Sequence, residues 1–411
     1  MIDFNDSAFL SGDRTTAYAR LRQQAPVWHM GDDNGAGTWV LSRYADVQAV
    51  LRMPTGRVQP AGMDAPPWIA QGPASERLRA NLAQTDAPVH TRLRGVIGPF
   101  FLPRKMEALR AVSADSVARA LQAMARHEGE FDLVQEIAAQ VPKGVICHLL
   151  GIPEADWNSL IAVQHDFLNI FSPFPLSAEQ KCRLDEVVLF YRNYFEAYLA
   201  RTDPAQCSAI VQLLLAAEQR GEINRTETIS VMHTVLDAGY ETTRTSISNA
   251  VELLAGEPAL FAQLRQEPDA VMNAVEELLR IRTPIHVRHR YLAESYTASD
   301  GTLIPAGSQT LLMLAAANQD ETIFEEPLKI DFNRANANRH QAFGGGLHHC
   351  LGAPIARIQL QETLRGLAAT YTSLALPQGK GPRYPSLKFP ALSSLRVVAQ
   401  RAVAPTVAQQ G

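Results

Sequence analysis

Apolar residues recur at helical spacing along most of this chain, interrupted by short alternating runs and by clusters of proline and glycine. The longest unbroken helical pattern extends from Asn224 to Ala255. Asn224-Arg225-Thr226-Glu227 resembles a capping box at its start, and Gly256 with Pro258 is a stop signal. At ~1.5 Å per residue this helix would run some 45 Å, long enough to cross the molecule. Residues 105 to 222 are dominated by the same periodicity, with breaks at Gly129-Glu130, Gly151-Ile152-Pro153 and Ser172-Pro173-Phe174-Pro175. Toward the N-terminus, Ala17 to Arg22 and Tyr44 to Leu51 read as helices and Thr38 to Ser42 as a strand. Thr55 to about Ala83 is a proline- and glycine-rich loop around Trp68. Ile285 to Arg290 reads as a second strand, whose alternation places His286, Arg288 and Arg290 on one face. Gly301 to Gly307 is a hairpin turn, and the tail from Arg401 to Gly411 is expected to fray.

Composition narrows the classes. The 411 residues are 46% hydrophobic, enough for a large core, and a formal charge of -4 points to neither nucleic acid nor an anionic membrane. Four cysteines (Cys147, Cys182, Cys207, Cys350) are scattered without a C-x-x-C pair. That argues against a disulfide framework and a structural zinc site and fits a reducing cytoplasm. The N-terminus lacks a basic and then apolar leader, and no run approaches the ~18 apolar residues of a membrane span. A soluble, cytoplasmic monomer without a membrane anchor is expected.

Candidate chemistry concentrates in Phe343-Gly344-Gly345-Gly346-Leu347-His348-His349-Cys350-Leu351-Gly352. A thiol closes a glycine-rich loop, and Gly352 leaves room for a flat partner to approach. A helix starting near Leu351 would aim its first amides at the sulfur and favour the thiolate. A lone cysteine is more often a small buried hydrophobe, so the weight rests on the whole pattern. Phe-Gly-x-Gly-x-His-x-Cys-x-Gly is matched at every fixed place and resembles the haem-binding signature of the cytochrome P-450 monooxygenases. Ala238-Gly239-Tyr240-Glu241-Thr242-Thr243, midway along the long helix, is similar to that family's oxygen-activation motif. Glu277-Leu278-Leu279-Arg280 is similar to its Glu-x-x-Arg pair, with Arg334 as the third member. His90 and Arg94 lie four apart on one helix face, after Asp86 as a possible cap and Pro88 in the first turn, and together could grip one anion.

The resemblance implies a mainly α-helical fold with a small β-rich lobe. One domain, 1–411, would clasp haem b between the long central helix and the cysteine loop. It implies Cys350 as the axial iron ligand, with Phe343, Gly344 and Gly352 around the sulfur and Ala238 and Gly239 against the opposite haem face. His90, Arg94, Arg290 and His348 would neutralise the propionates, with Arg288 close by. Thr242 would hydrogen-bond the bound dioxygen and Glu241 connect to the proton supply, while Glu277, Arg280 and Arg334 are structural.

Such an enzyme would hydroxylate or epoxidise a small, largely apolar molecule, free or tethered to a carrier protein, in bacterial natural-product biosynthesis or catabolism. No dinucleotide, flavin or iron–sulfur motif is present. Electrons would therefore come from NAD(P)H through a ferredoxin or flavodoxin and its reductase, docking near Arg104, Lys105, Arg339 and Arg357. The expected substrate pocket draws on Trp68, Phe167, Phe171, Leu236, Ile285, His286, Val287 and Leu392. His286 reads equally as a pocket residue or as a satisfied structural histidine. A peroxide-driven peroxygenase and a non-catalytic haem sensor are the alternatives.

Overall fold

The computed structural model describes residues 2–4, 6–31, 37–124, 129–172 and 174–402, so the tail beyond 402, and Pro173 in the expected break, lie outside it. Its axis is the helix Arg225–Gly256, which starts as the sequence indicates. The Asn224 side chain accepts from the Glu227 amide at 3.0 Å, and the Glu227 carboxylate accepts from the Asn224 amide at 2.9 Å. Arg92 donates to the same carboxylate at 2.8 Å, which ties the helix Val89–Ile97 to this end. A helix buried nearly all round has to lie in the interior, and this one separates two apolar cores. Ile146, Phe167, Tyr191 and Leu236 belong to one; Val251, Leu279, Leu364 and Leu392 belong to the other. In mid-helix, Val235, Ala238, Gly239 and Thr242 keep accessible surface, and all four open on one cavity.

The β lobe is a five-stranded sheet in the order Val27–Met30, Thr38–Leu41, Gln309–Met313, Val287–Leu292, Gly56–Arg57. Only the Thr38–Leu41 and Gln309–Met313 strands run parallel; the remaining neighbours are antiparallel. A three-stranded sheet and the expected hairpin, Tyr296–Thr297 against Leu303–Ile304, complete the strands.

Three local expectations need correction. The strand begins at Val287, paired with Met313, so Ile285 and His286 precede the pleat and do not follow its alternation. Asp86 does not cap the next helix, whose N-cap is Pro88. Its carboxylate instead accepts from the Val58 and Gln59 amides at 3.0 and 3.1 Å. The 55–83 loop holds a helix of its own, Pro73–Arg79. No helix among the described residues is long and apolar enough to cross a membrane.

Candidate functional site

The cysteine loop is held by its backbone. The Cys350 amide donates to the Phe343 carbonyl at 3.0 Å, and the helix Ala353–Thr370 begins three residues after the thiol. Gly346 has φ +63°, and a Cβ there would lie 2.4 Å from the Leu51 carbonyl oxygen. Only glycine can therefore seat the loop on the helix Tyr44–Arg52. Phe343 packs beneath the Arg357 guanidinium, 4.4 Å from the ring centre, and Glu276 fixes that arginine through bonds of 2.6 and 2.7 Å. The accessible surface of Cys350 faces a cavity enclosed by protein. Burial pushes its thiol up, while the Gly352 amide and the charges of Arg288, Arg357 and Arg94 pull the other way.

That cavity encloses about 1400 Å³ of atom-free space, its open mouth included. Arg94, Arg288, Arg290, His90, His348 and His349 border it, and among the described residues no aspartate or glutamate does. The rings of His90 and His348 lie 4.1 Å apart. His90 is held down to about 4 by burial and by the neighbouring His348 and Arg94, and its buried Nε2 has no hydrogen-bond partner among the described residues. Burial and the adjacent Arg288 bring Arg290 down to about 10. His348 reaches only to 3.8 Å from the Asp86 carboxylate. A cavity with this lining is short of negative charge and calls for an anionic guest.

The facing wall is the long helix. Thr242 borders the cavity, and its hydroxyl donates to the Ala238 carbonyl at 2.7 Å. Glu241 does not reach the cavity: Arg244 grips its carboxylate at 3.1 and 2.5 Å and donates onward to the Leu392 carbonyl at 3.1 Å. Glu241, expected to connect to the proton supply, thus stands behind the cavity wall, paired with Arg244. Gly239 borders the cavity, yet the side it leaves bare receives Ile146, whose Cδ1 would lie 2.4 Å from an added Cβ.

Sequence reasoning missed a polar network behind this wall. Arg77 is buried and donates to His233 Nδ1 (3.1 Å), Ser230 Oγ (2.5 Å) and Thr234 Oγ1 (2.8 Å), the last of which lines the cavity. Asp237, one turn on, accepts from Gln164 at 2.5 Å, and burial raises it to about 7 against the opposing pull of Arg77. A signal existed: Ser230, His233, Thr234, Asp237 and Glu241 form one polar stripe at helical spacing on a helix that had to be buried.

Residues 16–387 match the sequence profile of the family described as cytochrome P-450. The chain belongs to the cytochrome P-450 family. It is accordingly an oxidoreductase, in a family that uses haem iron and dioxygen. It is similar to the mycinamicin IV hydroxylase/epoxidase of Micromonospora griseorubida, at 34% identity over 85% of this chain and 86% of that one. The vitamin D(3) 25-hydroxylase of Pseudonocardia autotrophica is 32% identical over 88% and 87% of the two chains. Among solved structures, P450BioI in complex with hexadec-9Z-enoic acid ligated acyl carrier protein superposes with a TM-score of 0.87 at 26% identity, covering 96% of this chain and 99% of that one. CalO2 also gives 0.87, at 29% identity and 97% and 98% coverage.

The residues fit haem on the cavity's own terms. A thiol faces the space, the lining is basic without a carboxylate, and the orphaned His90 Nε2 is a donor or acceptor awaiting a partner.

Of the expected pocket residues of this P-450, Ile285 lines the cavity and seven do not. Phe167 packs edge-on against Phe171 and Tyr191, and Leu236 and Leu392 are fully buried in the two cores. Phe171 sits against Phe389 and Lys388. Trp68 packs on the first core, and Val287 belongs to the β-lobe core that also holds Tyr18 and Leu311. His286 points away from the cavity, with Nδ1 2.7 Å from the Tyr18 hydroxyl. Of its two readings, the partnered structural histidine is the one the geometry supports. In their place, Leu82, Ala83, Thr234 and Val235 line the cavity. Glu277, Arg280 and Arg334 meet: Arg280 donates to Glu277 at 2.7 and 2.8 Å, and Arg334 donates at 3.0 Å.

Proposed function

We propose that the chain, as a single domain, is a haem-thiolate monooxygenase that hydroxylates or epoxidises a small, largely apolar organic molecule. The observation carrying this reading is the cavity itself, with Cys350 on one wall, Ala238 and Thr242 on the other, and a basic rim without a carboxylate. Haem b, when bound, supplies the iron at which dioxygen is reduced and one oxygen atom passes to substrate. Cys350 would hold it by the thiolate, with Phe343, Gly344 and Gly352 shaping the loop. His90, Arg94, Arg290 and His348, with Arg288, would neutralise the propionates, whose burial without partners would be costly. Ala238 and Gly239 bring the helix backbone close to the guest.

Thr242 keeps hydroxyl lone pairs on the cavity side, where it can accept from a water and hold a proton source in place. Leu82, Ala83, Val235 and Ile285 give an apolar surround that excludes bulk water and favours an apolar substrate. The hydroxylase/epoxidase and hydroxylase names of the two relatives support the reaction type. Of free and tethered delivery, the carrier-protein complex of P450BioI supports the tethered one. Electrons from NAD(P)H would arrive through a ferredoxin or flavodoxin and its reductase. Arg104, Lys105 and Arg339 are exposed and available to dock it, whereas Arg357 is engaged by Glu276.

Cys350→Ala tests the assignment: it should abolish the thiolate-type Soret spectrum of the carbon monoxide complex and product formation together. Normal turnover by the variant would defeat the reading. One observation favours a peroxide-driven alternative, namely that Glu241 is bound to Arg244 and does not reach the cavity. Product formation that consumes dioxygen with NAD(P)H and a surrogate carrier decides for the monooxygenase; product formed only with peroxide decides against it.

A further inference from the structure

A second cavity lies on the other side of the segment that carries Ile285 and His286. The turn Ser11–Thr15, the end of the helix Val271–Ile281 and residues 380–390 close it around about 820 Å³ of atom-free space, mouth included. Arg14, Arg282, Lys380 and Arg383 line it, with Asp13 as the lining carboxylate; Glu252 approaches from outside to hold Arg383. Four cations thus face two carboxylates. Arg14 is taken up by the carbonyls of Phe9, Leu387 and Ser386, and Arg383 by Glu252, Asn249 and Pro390.

Arg282 and Lys380 are left to share one oxygen, Asp13 Oδ2, at 3.6 and 2.9 Å. Burial alone would raise the Asp13 carboxyl, but hydrogen bonds from Thr15 and Lys380 and the charge of Arg282 hold it well below the usual range. Two further atoms are buried without partners among the described residues: Arg282 Nε, which needs an acceptor, and Gln319 Oε1, which needs a donor. Tyr18 and His286 form the floor, and burial together with Arg14, Arg383 and Arg282 keeps His286 neutral.

We propose that this second cavity binds a phosphate-type oxyanion, its charged oxygens on Arg282 and Lys380 and its protonated oxygen donating to Gln319. A surplus of cations, an unfilled donor and an unfilled acceptor in one enclosure match a group that carries negative charge and a hydroxyl at once. Free phosphate carries that hydroxyl at neutral pH, and a phosphate monoester, whose second ionisation lies at about 6, carries it in its monoanion.

The test titrates the holoprotein with inorganic phosphate, methyl phosphate and sulfate at constant ionic strength and pH about 5.5, where most of the ester keeps one proton, following heat or ³¹P line width. Saturable one-to-one phosphate binding is expected, weakened roughly tenfold by Arg282→Gln. Sulfate, which carries no proton at this pH, is expected to bind several-fold more weakly. A methyl phosphate affinity above that of phosphate assigns the site to an ester, and the reverse assigns it to the free ion. Absence of saturation with both phosphates, sulfate binding as tight as phosphate, or an unchanged affinity in Arg282→Gln would each overturn the proposal. Should Arg282→Gln fail to fold, Lys380→Gln on the exposed rim serves in its place, and unchanged affinity there counts equally against it.

Discussion

Removing one charge from Glu277 is expected to be among the most destabilising single substitutions in this protein. Its carboxylate receives Arg280 at 2.7 and 2.8 Å, Arg334 at 3.0 Å and the Asp331 amide at 3.1 Å, and neither Glu277 nor Arg280 has exposed side-chain surface. Glu277→Gln keeps the shape but replaces an acceptor oxygen with a second donor facing donors. Arg280 then remains charged in the interior with only carbonyl partners, those of Asn318 at 3.0 Å and Pro327 at 2.7 Å the nearest. Breaking one side of a buried pair costs about 3–5 kcal/mol. The surviving carbonyls and the retained shape place this variant near the lower end, about 3 kcal/mol.

The exposed pair Arg183–Glu186 supplies the contrast. Its separation of 3.1 Å resembles that of the buried pair, but its side chains are 47% and 60% exposed. Glu186→Gln should therefore shift stability far less than Glu277→Gln. Urea unfolding of the holoprotein, followed by far-ultraviolet circular dichroism and Soret absorbance, would compare the two. Equal shifts would refute the argument that enclosure, rather than the presence of an ion pair, sets the magnitude.

Three further outcomes follow from the site. Thr242→Ala should lower the ratio of product to dioxygen consumed several-fold while leaving the carbon monoxide spectrum intact; an unchanged ratio would remove Thr242 from proton handling. Gly346→Ala should cost about 1–3 kcal/mol and reduce haem retention, because its Cβ would meet the Leu51 carbonyl at 2.4 Å in a left-handed conformation; full retention at wild-type stability would contradict this. Asp237 titrates near 7 in the fold against 3.8 for the ordinary carboxyl, so the folded state binds the extra proton and stability falls as pH rises from about 4 to 7. Asp237→Asn should flatten that fall, gaining on the wild type by up to about 4 kcal/mol across the window. Parallel stability profiles would show that the carboxyl ionises as freely in the fold as outside it.

What could be read from the sequence divides along a physical line. The capping box at Asn224 and Glu227, the stop after Gly256 and the glycine-bounded thiol of Cys350 are local, and local chemistry decides them. Which face of an element meets the cavity is decided by packing. For Phe167, Phe171, Leu236 and Leu392, apolar character is equally suited to a core and to a pocket, and only the tertiary arrangement separates the two. The hydrogen-bond network of Arg77 with Ser230, His233 and Thr234 likewise needs contacts 153 to 157 residues apart, which no window of sequence contains.

Glu241 and Thr242 make the point most sharply, because there the sequence contained more than the motif conveyed. Neighbours in a helix point about 100° apart. The cavity is wide enough to take in Ala238 with Gly239 and Thr242 with Thr243, yet Glu241 falls just beyond the edge of the face that borders it. Val235, Ala238 and Thr242, at spacings of three and four, share that face. The same spacing joins Glu241 to Arg244 on the next face round, where a bidentate pair is the natural outcome. His286 obeys the equivalent rule for strands: alternation has force only where the ladder exists, and the ladder begins at Val287 against Met313. One residue earlier, the His286 backbone is held by the Lys388 carbonyl and the Ala315 amide, and its ring meets Tyr18 and lines the second cavity rather than the first.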